Sequence, residues 1–551
     1  MQTIPARPTG SALRRAAALL STAAVAAVGN PQRASAQAYD RDGRIPAHGS
    51  MWIEFAPSWE IWSEQFTGGT EEGADGSRQP LHFEYDGPIV NRLFPGIDPL
   101  LADLNRDALA LGYDSLSAGD VSLGSTTYGS ITRDVRKVPL GISFGLFDRL
   151  AVDFMLPIVR GTVETSFAFD STTAGFVPSS SVLPAPDAFF GSFDAARSDL
   201  AALVESGTLS PEEEAAAREL LESSGAFEAA LATRVAEEGL LPVAGSEAGT
   251  GITGRYTGLS TGFAGFGLDL PAFSLPDSAT SSDFQRILGG APLGIDSLQG
   301  TVRGWAPGEL EVGLRFKLLD SFERIGPVDE DSFRATRKPD LRGQGPSFRT
   351  TIGARLRIPL SEPDADPYLV AASALQQPIG SGQTDVELGV WQDAQFGDWL
   401  WLVASARYVI QLEDELVMRV RTEGQPFAYA SQQRSVSRDL GDIFELRLSP
   451  RFRFNESMAL GLEYRWRNKG EDAYTGDGAP EPSPLAAGTG GSRHRLGIGA
   501  WYRTTPRYLA GIANFPVELS LVWQGSIAGG GGRTPASDIM TFSLRVPIQL
   551  F

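Results

Sequence analysis

The sequence predicts an all-β protein, a transmembrane antiparallel β-barrel of about twelve strands with a helical extracellular insertion. Three observations favour this fold class. Short runs of residues alternate between apolar and polar, and the connections between these runs alternate between short and long. Beyond the first 38 residues, no run approaches the roughly 18 apolar residues of a membrane helix. The 62 Gly and 36 Pro fit many short elements joined by turns.

The alternation is clearest in the C-terminal half of the chain. In "GDIFELRLSPRFRF", Phe444, Leu446 and Leu448 share one face, whereas Glu445 and Arg447 share the other. The stretches "MALGLEYRWR", "FPVELSLVWQ" and "TFSLRVPIQLF" repeat the pattern. A period of two is typical of β-strands, because successive side chains point to opposite faces.

Counting such runs gives twelve predicted strands. They lie near residues 50–66, 125–146, 149–166, 303–319, 348–360, 384–395, 399–412, 442–454, 458–468, 493–503, 515–526 and 538–551. An even number places both chain ends and the short turns on one side, as in outer-membrane barrels. Fourteen strands is an open alternative, because the connection at 321–347 is long for its side and residues 67–124 could hold another pair.

The first 38 residues are predicted to be a secretory signal peptide. Arg7, Arg14 and Arg15 precede a small apolar run, and Ala36 and Ala38 form an A-x-A cleavage site. Residues 39–551 then form the barrel, which we expect in the bacterial outer membrane. The chain has no Cys, so a disulfide framework is excluded.

The largest insertion, about residues 170–302, is predicted to be partly helical. In "SPEEEAAARELLESSG", Ser210 is the expected N-cap, Pro211 the first helical residue, Glu213 the partner in a capping box and Gly225 the stop. The following "GRYTGLSTGFAGFG" lacks the Lys-Ser/Thr of a phosphate-binding loop and is predicted to be a flexible loop. A second helix is expected in "FPGIDPLLADLNRDALALG" of the first long loop.

A soluble β-sandwich would also alternate, so the position of the aromatic residues separates the two folds. Several lie on the apolar face close to strand ends, where a membrane barrel has its interfacial girdle and a sandwich core has no special need of them. These residues are Tyr408, Tyr464, Trp466, Tyr502 and Trp523.

Closure of the sheet directs the polar face into a lumen. By strand parity this face holds fourteen bases and eight acids, although the whole chain has a formal charge of −20. The candidate lumen-lining residues are Arg315, Arg355, Arg357, Arg407, Glu445, Arg447, Arg451, Arg453, Glu463, Arg465, Arg467, Arg495, Arg503, Glu518 and Arg545. Two interpretations are open. The guanidinium groups either pair with carboxylates and brace adjacent strands, or their surplus charge attracts anions and the carboxylate heads of amphipathic solutes.

Residues for other chemistry are scarce. The chain has three His, and only His494, with Ser492 two residues before it, suggests a hydrolase, without an identifiable acid to orient the His. With no Cys and no paired His, we expect no metal site, no cofactor and no enzyme. The acidic overall charge argues against a nucleic-acid partner.

Two stretches carry a family resemblance: "VPLGISFGLFDRLAVDFMLPIV", and "RLRIPL" followed by "GSGQTDVELGVWQDAQFGDWLWLVASARYVIQ". They resemble outer-membrane barrels associated with phenol degradation or fatty-acid transport, which implies uptake of small, often hydrophobic, molecules. The chain departs from the fatty-acid transporters because only residues 39–49 precede the first strand, so an N-terminal hatch is not expected. Any plug is expected from a loop, with residues 185–240 as the candidate.

The terminal "PIQLF" resembles the signal through which such barrels are recognised during assembly, with Phe551 as its aromatic residue. The expected partners are therefore the barrel-assembly machinery, periplasmic chaperones, outer-membrane lipid and lipopolysaccharide, and a small-molecule solute. The predicted function is a pore or transporter for passive uptake of small, hydrophobic or anionic solutes. The alternatives are a structural or adhesive barrel with a closed lumen and, more distantly, an outer-membrane hydrolase.

Overall fold

The computed structural model describes residues 42–66, 76–84, 87–88, 98–289, 304–322, 346–360, 380–420, 432–478, 481–509, 511–531 and 534–550. The predicted signal peptide and Phe551 lie outside these residues. Twelve long strands are present among them: β1 (Ser50–Phe55 and Ser58–Trp62), β2 (Leu123–Phe147), β3 (Leu150–Ala174), β4 (Glu309–Asp320), β5 (Ser347–Pro359), β6 (Asp385–Phe396), β7 (Leu400–Gln411), β8 (Ile443–Arg453), β9 (Met458–Lys469), β10 (Gly491–Arg503), β11 (Glu518–Gly530) and β12 (Asp538–Gln549).

These strands close into one antiparallel barrel. Each pairs with its neighbours in chain order, and β12 pairs with β1 in the register Ser50↔Gln549 to Phe55↔Leu544. β1 is interrupted at Ala56 and Pro57, and Pro57 has no N–H to donate to the ladder. The closed twelve-strand barrel confirms the predicted fold class. The fourteen-strand alternative is wrong, because direct pairing of β1 with both β12 and β2 completes the ring.

The barrel is apolar outside and charged inside. Leu314 is 53% exposed whereas its neighbour Arg315 is 2% exposed, and Leu388 is 49% exposed whereas Glu387 is 1% exposed. A soluble protein has the opposite distribution, so the exposed apolar belt is the surface that meets lipid. The predicted aromatic girdle lies on this outer face, where Tyr408, Tyr502 and Trp523 are exposed.

The two ends of the barrel differ. At the short-turn end, residues 148–149, 397–399 and 454–457 connect consecutive strands, and the first residues of β1 and the last residues of β12 lie there too. At the long-loop end, the connections are long and carry structure of their own. Two of them, between β7 and β8 and between β9 and β10, together form a three-stranded sheet of Asp414–Arg419, Gln433–Asp439 and Ala473–Thr475, with a small core around Met418 and Val436.

The β2–β3 hairpin extends well beyond the barrel. Both strands have 25 residues, but past Val159 the strand β3 pairs with β2 alone among the described residues. The remaining fifteen residues of β3, 160–174, span roughly 50 Å if fully extended. The tip of the hairpin carries a helical unit, which comprises residues 98–122 and 175–289.

The helical unit is built from α1 (Asp98–Asn105), α2 (Ala108–Leu111), α3 (Ser179–Val182), α4 (Pro186–Glu205), α5 (Pro211–Ala236), α6 (Glu247–Gly265) and α7 (Ser281–Gly289). A further short helix, α8 (Thr505–Leu509), lies in the connection between β10 and β11. The unit has its own core, in which Phe193, Phe227, Leu231 and Ile252 are fully buried. In the part of the chain that the structure describes, no helix is long and apolar enough to cross a membrane.

The helix start in "SPEEEAAAREL" is confirmed, whereas two predictions about glycines are wrong. Ser210 and Glu213 form the capping box, but α5 continues past Gly225 to Ala236. Gly225 lies inside α5 beside the end of the Arg197 side chain of α4. The glycine-rich "GRYTGLSTGFAGFG" lies largely in α6, capped by Ser246, rather than in a flexible loop.

Candidate functional site

The lumen is lined by a ladder of ion pairs that crosses from strand to strand. Asp153 on β3 binds Arg315 on β4 through two oxygens, at 2.6 and 3.0 Å. The ladder continues through Glu311–Arg355 (2.8 Å), Glu387–Arg357 (2.5 Å), Glu445–Arg407 (2.5 Å) and Glu463–Arg447 (2.7 Å), while Arg465 lies 3.6–3.7 Å from Glu463 and Glu445. Its members are at most 10% exposed. The predicted cross-bracing of strands is therefore present.

Two contacts reach over intervening strands, because small residues leave room between them. Gln524 on β11 donates to Glu463 on β9 at 2.7 Å, across the glycines of β10. Glu60 on β1 contacts Arg495 and Arg493 on β10, with the Ser537 hydroxyl donating to the same carboxylate at 2.7 Å. These bridges connect strands of the wall that are not neighbours in the sheet.

The short-turn end of the lumen is occupied by the N-terminal segment, Asp42–Gly49. The backbone N–H of Gly43 donates to Asp393 on β6 at 3.2 Å, and its carbonyl accepts from Thr351 on β5 at 2.5 Å. The carbonyl of Arg44 accepts from Arg315 on β4 at 2.8 Å. The segment thus contacts three consecutive strands from inside the barrel.

Arg44 anchors the same segment to the opposite wall. Its guanidinium binds Glu518 on β11 through two nitrogens, at 2.5 and 2.8 Å, and also Asp42 within the segment. Arg545 on β12 contacts Glu518 at 3.1 Å and Asp42 at 3.7 Å. Burial alone would raise the pKa of Asp42, but the guanidinium groups of Arg44 and Arg545 outweigh it and hold the pKa well below its usual range. Asp42 is therefore charged at neutral pH.

The expectation that the chain lacks an N-terminal hatch is wrong for this end of the barrel. The eight residues Asp42–Gly49 are enough to contact both walls of the lumen, because an extended chain of that length spans roughly 26 Å. Gly145 on β2 also lets the segment approach the wall, since a Cβ there would overlap the carbonyl oxygen of Ala47. The expected plug, residues 185–240, lies in the helical unit, whose described hydrogen bonds and ion pairs remain within the unit.

A cationic cleft lies beside the segment at the short-turn end. Arg451 stacks between two indoles, 4.3 Å from the ring centre of Trp501 and 5.8 Å from that of Trp401. Arg44 and Arg503 lie over the same Trp401 ring, each at 5.4 Å. Neither Arg453 nor Arg503 forms an ion pair within 4 Å with a carboxylate that the structure describes. Among the described residues, the guanidinium of Arg503 donates only to the carbonyl of Glu456, at 3.2 Å. This end of the lumen therefore has surplus positive charge and aromatic faces.

The structure brings most of the sequence-predicted lumen residues into four groups: the ladder, the Glu60 bridge, the anchor of Arg44 and the cleft. Arg315, Arg355, Arg357, Arg407, Glu445, Arg447, Glu463 and Arg465 belong to the ladder, Arg495 to the Glu60 bridge, Glu518 and Arg545 to the anchor of Arg44, and Arg451, Arg453 and Arg503 to the cleft. Arg467 is half-buried near the long-loop end. The prediction missed Glu54, Glu60, Asp393, Trp401 and Trp501, although the last three are in phase with predicted inward residues of their strands.

The hydrolase candidate His494 lies on the outer face. Its Nδ1 is 2.8 Å from the hydroxyl of Tyr464, and its ring stacks on Trp466. Both contacts are typical of an interfacial aromatic cluster rather than of a base beside a nucleophile. Within the described ranges, no group of three or more His, Asp or Glu residues could hold a metal ion.

No protein-family model and no curated protein matches the chain. Among solved structures, it is similar to an outer-membrane channel from Pseudomonas putida F1 (9% identity, TM-score 0.41, covering 93% of this chain and 100% of that one). It is also similar to a Pseudomonas aeruginosa FadL homologue (8%, 0.27, 95% and 99%) and to the Pseudomonas putida toluene transporter TodX (9%, 0.24, 95% and 96%). All three TM-scores are below 0.5, so the function must be inferred from the geometry of this barrel.

Proposed function

We propose that the protein is an outer-membrane channel for passive diffusion of small solutes, and that the N-terminal segment Asp42–Gly49 gates its short-turn end. The observation that carries the proposal is the position of this segment inside the lumen, where it contacts strands on both sides of the lumen. The strands of the wall are joined to each other by continuous backbone pairing. The segment is not a strand of the sheet and is held by individual hydrogen bonds and ion pairs. It can therefore leave without opening the barrel.

The charged lumen also supports a path for solutes. A barrel that served only as a rigid wall would gain little from buried ion pairs, because apolar residues of similar volume are often at least as stabilising. Several buried ladder atoms are in ion pairs without a hydrogen bond: Glu311 Oε1 and Arg357 Nε lie 3.6 Å apart, and Glu387 Oε1 lies 3.4 Å from Nη1 of Arg355. Such atoms are costly in a dry core and are readily satisfied in a hydrated lumen.

The cationic cleft supports a preference for anions, including amphipathic solutes with a carboxylate head. Arg453 and Arg503 supply positive charge that is not held in an ion pair, and Trp401 and Trp501 supply faces for an apolar or aromatic body. A catalytic role has no comparable support, and the proposed partners remain a small solute, outer-membrane lipid and the assembly factors of such barrels.

The second candidate is a structural or adhesive barrel whose lumen stays closed. The low exposure of the ladder favours it, because Glu311, Glu387 and Glu463 are each 1% exposed. The two candidates differ in whether the N-terminal segment and the ladder side chains move aside under a driving force.

Planar-bilayer recording of the purified chain tests the proposal. We expect discrete openings and, under a KCl gradient, a reversal potential with the sign of chloride permeation. The variant Arg453→Gln/Arg503→Gln should move that potential toward zero, because it removes two positive charges from the cleft. Arg106→Gln/Arg218→Gln in the helical unit is the matched control and should leave it unchanged. Absence of openings, in the wild type and after release of the segment, would establish the closed barrel instead.

A further inference from the structure

Two arginines face each other on the lipid-facing side of the barrel. Arg136 on β2 and Arg160 on β3 are register partners. Their chain neighbours Val135 and Val159 are fully buried on the inner side, so both guanidinium groups lie on the outer face. Directly opposite residues on one face of an antiparallel pair have Cβ atoms about 5 Å apart, and two like charges there destabilise the pair. The arrangement is costly unless an anion bridges it.

The charge of this pair is only partly compensated. Nε and Nη2 of Arg136 donate to Oδ2 of Asp134 at 2.9 and 2.6 Å. The side chain of Arg160 has no hydrogen bond or ion pair with any residue that the structure describes, and its Nε is buried without a partner, although the charge of Asp134 also acts on it. Glu164, further along the same face of β3, is exposed and is not within 4 Å of a described base. One guanidinium therefore remains available for an external anion.

The pair lies at the outer edge of the apolar belt. Trp59 on β1 is the register partner of both Arg136 and Met540, and Met540 pairs in turn with Trp523 on β11. Tryptophans mark the boundary between hydrocarbon and head groups. Toward the short-turn end, the outer face of β2 is apolar and exposed at Leu140, Ile142 and Leu146. The arginines thus lie at head-group level on the side of the long loops.

We propose that Arg136 and Arg160 bind a phosphate group of an outer-leaflet lipid, the lipid A part of lipopolysaccharide. A phosphate between the two guanidinium groups would cancel their repulsion and accept charge-assisted hydrogen bonds from both planar forks. The exposed Trp59 beside them is placed to pack against the sugar or the upper acyl chains. The inference rests on the proposed outer-membrane location and is independent of the gate.

Native mass spectrometry of the full chain in detergent tests this site with three probes: diphosphorylated lipid A, lipid A lacking both phosphates, and inorganic phosphate. The wild type should retain diphosphorylated lipid A best. Arg136→Gln/Arg160→Gln should weaken its binding about a hundredfold, roughly tenfold for each guanidinium lost. Asp134→Asn should tighten it, because Arg136 is then free. The control Arg106→Gln/Arg218→Gln should match the wild type.

The outcomes separate the sources of phosphate. Equal retention of the phosphorylated and dephosphorylated lipids, or an unchanged affinity in the double variant, would overturn the proposal. Displacement of lipid A by inorganic phosphate at similar concentrations would assign the site to a free anion and overturn it too. If the double variant fails to fold, two measurements still test the site. These are the tighter binding expected for Asp134→Asn and the comparison of diphosphorylated with dephosphorylated lipid A on the wild type. Conductance of the double variant should equal that of the wild type. A negative result for lipid A binding would therefore not count against the proposed channel function.

Discussion

Releasing the N-terminal segment is expected to raise the open probability of the barrel by an order of magnitude or more. The variant Arg44→Ala/Thr351→Val removes the ion pair to Glu518, the contacts with Asp42 and Trp401, and the hydroxyl that donates to the carbonyl of Gly43. A hydrogen bond to a charged group contributes about 1.5–3 kcal/mol, and about 1.4 kcal/mol changes an equilibrium tenfold. Single-channel recording measures the change directly.

The matched control lies far from the lumen. Arg106→Ala/Thr233→Val in the helical unit also removes one arginine that binds two carboxylates and one threonine hydroxyl that donates to a backbone carbonyl. It should leave the open probability unchanged. If the release variant folds, as judged by its heat-modifiable migration on gels, and opens no more often than this control, the segment is not the gate.

Removing a single carboxylate from the ladder is expected to cost about 3–5 kcal/mol of folding stability. Glu387 contacts Arg357 at 2.5 Å and Arg355 and Arg407 at 3.4 Å, and it is 1% exposed. Glu387→Ala leaves three buried guanidinium groups with less compensation. Urea titration of the folded fraction in detergent or lipid measures the loss.

Two further variants identify the cause of that loss. Glu219→Ala removes an exposed carboxylate from α5 and should change the free energy of unfolding by no more than about 0.5 kcal/mol. Glu387→Ala/Arg357→Ala should lose less than the sum of the two single variants, because the second substitution removes one of the charges left uncompensated. Additive losses would mean that the ladder does not act as a coupled network.

The barrel itself was predictable because each position of a membrane strand faces either lipid or the lumen. This keeps the period of two intact in strands such as β8 and β9, and their predicted bounds agree with the structure to within a residue. β3 runs eight residues beyond its predicted end at 166. Above the barrel, residues such as Asp170 and Thr172 face water and form a local hydrogen bond, so the alternation fades there.

The site was predictable only in part. Parity placed the ladder on the inner face, but it could not show which arginines have carboxylate partners and which, like Arg453 and Arg503, do not. Glu54 and Glu60 were missed although a strand was predicted at 50–66, because β1 is divided at Pro57 and its inner face also holds Trp52 and Trp62, so that face does not read as polar. The seat of Asp42–Gly49 has no local signature, since its partners Thr351, Asp393 and Glu518 are hundreds of residues away in the chain.

Tethering the segment to the wall tests the gate most directly. The chain has no Cys, and a Cβ at Gly43 would lie 3.4 Å from Cγ of Asp393, which is where Sγ of a cysteine at 393 would lie, so Gly43→Cys/Asp393→Cys places two thiols within reach of each other. In bilayers, the oxidised variant should stay closed and a reductant should restore openings, while the single variants Gly43→Cys and Asp393→Cys should not respond to the reductant. Openings of the same size and frequency in the oxidised and reduced forms would contradict the account.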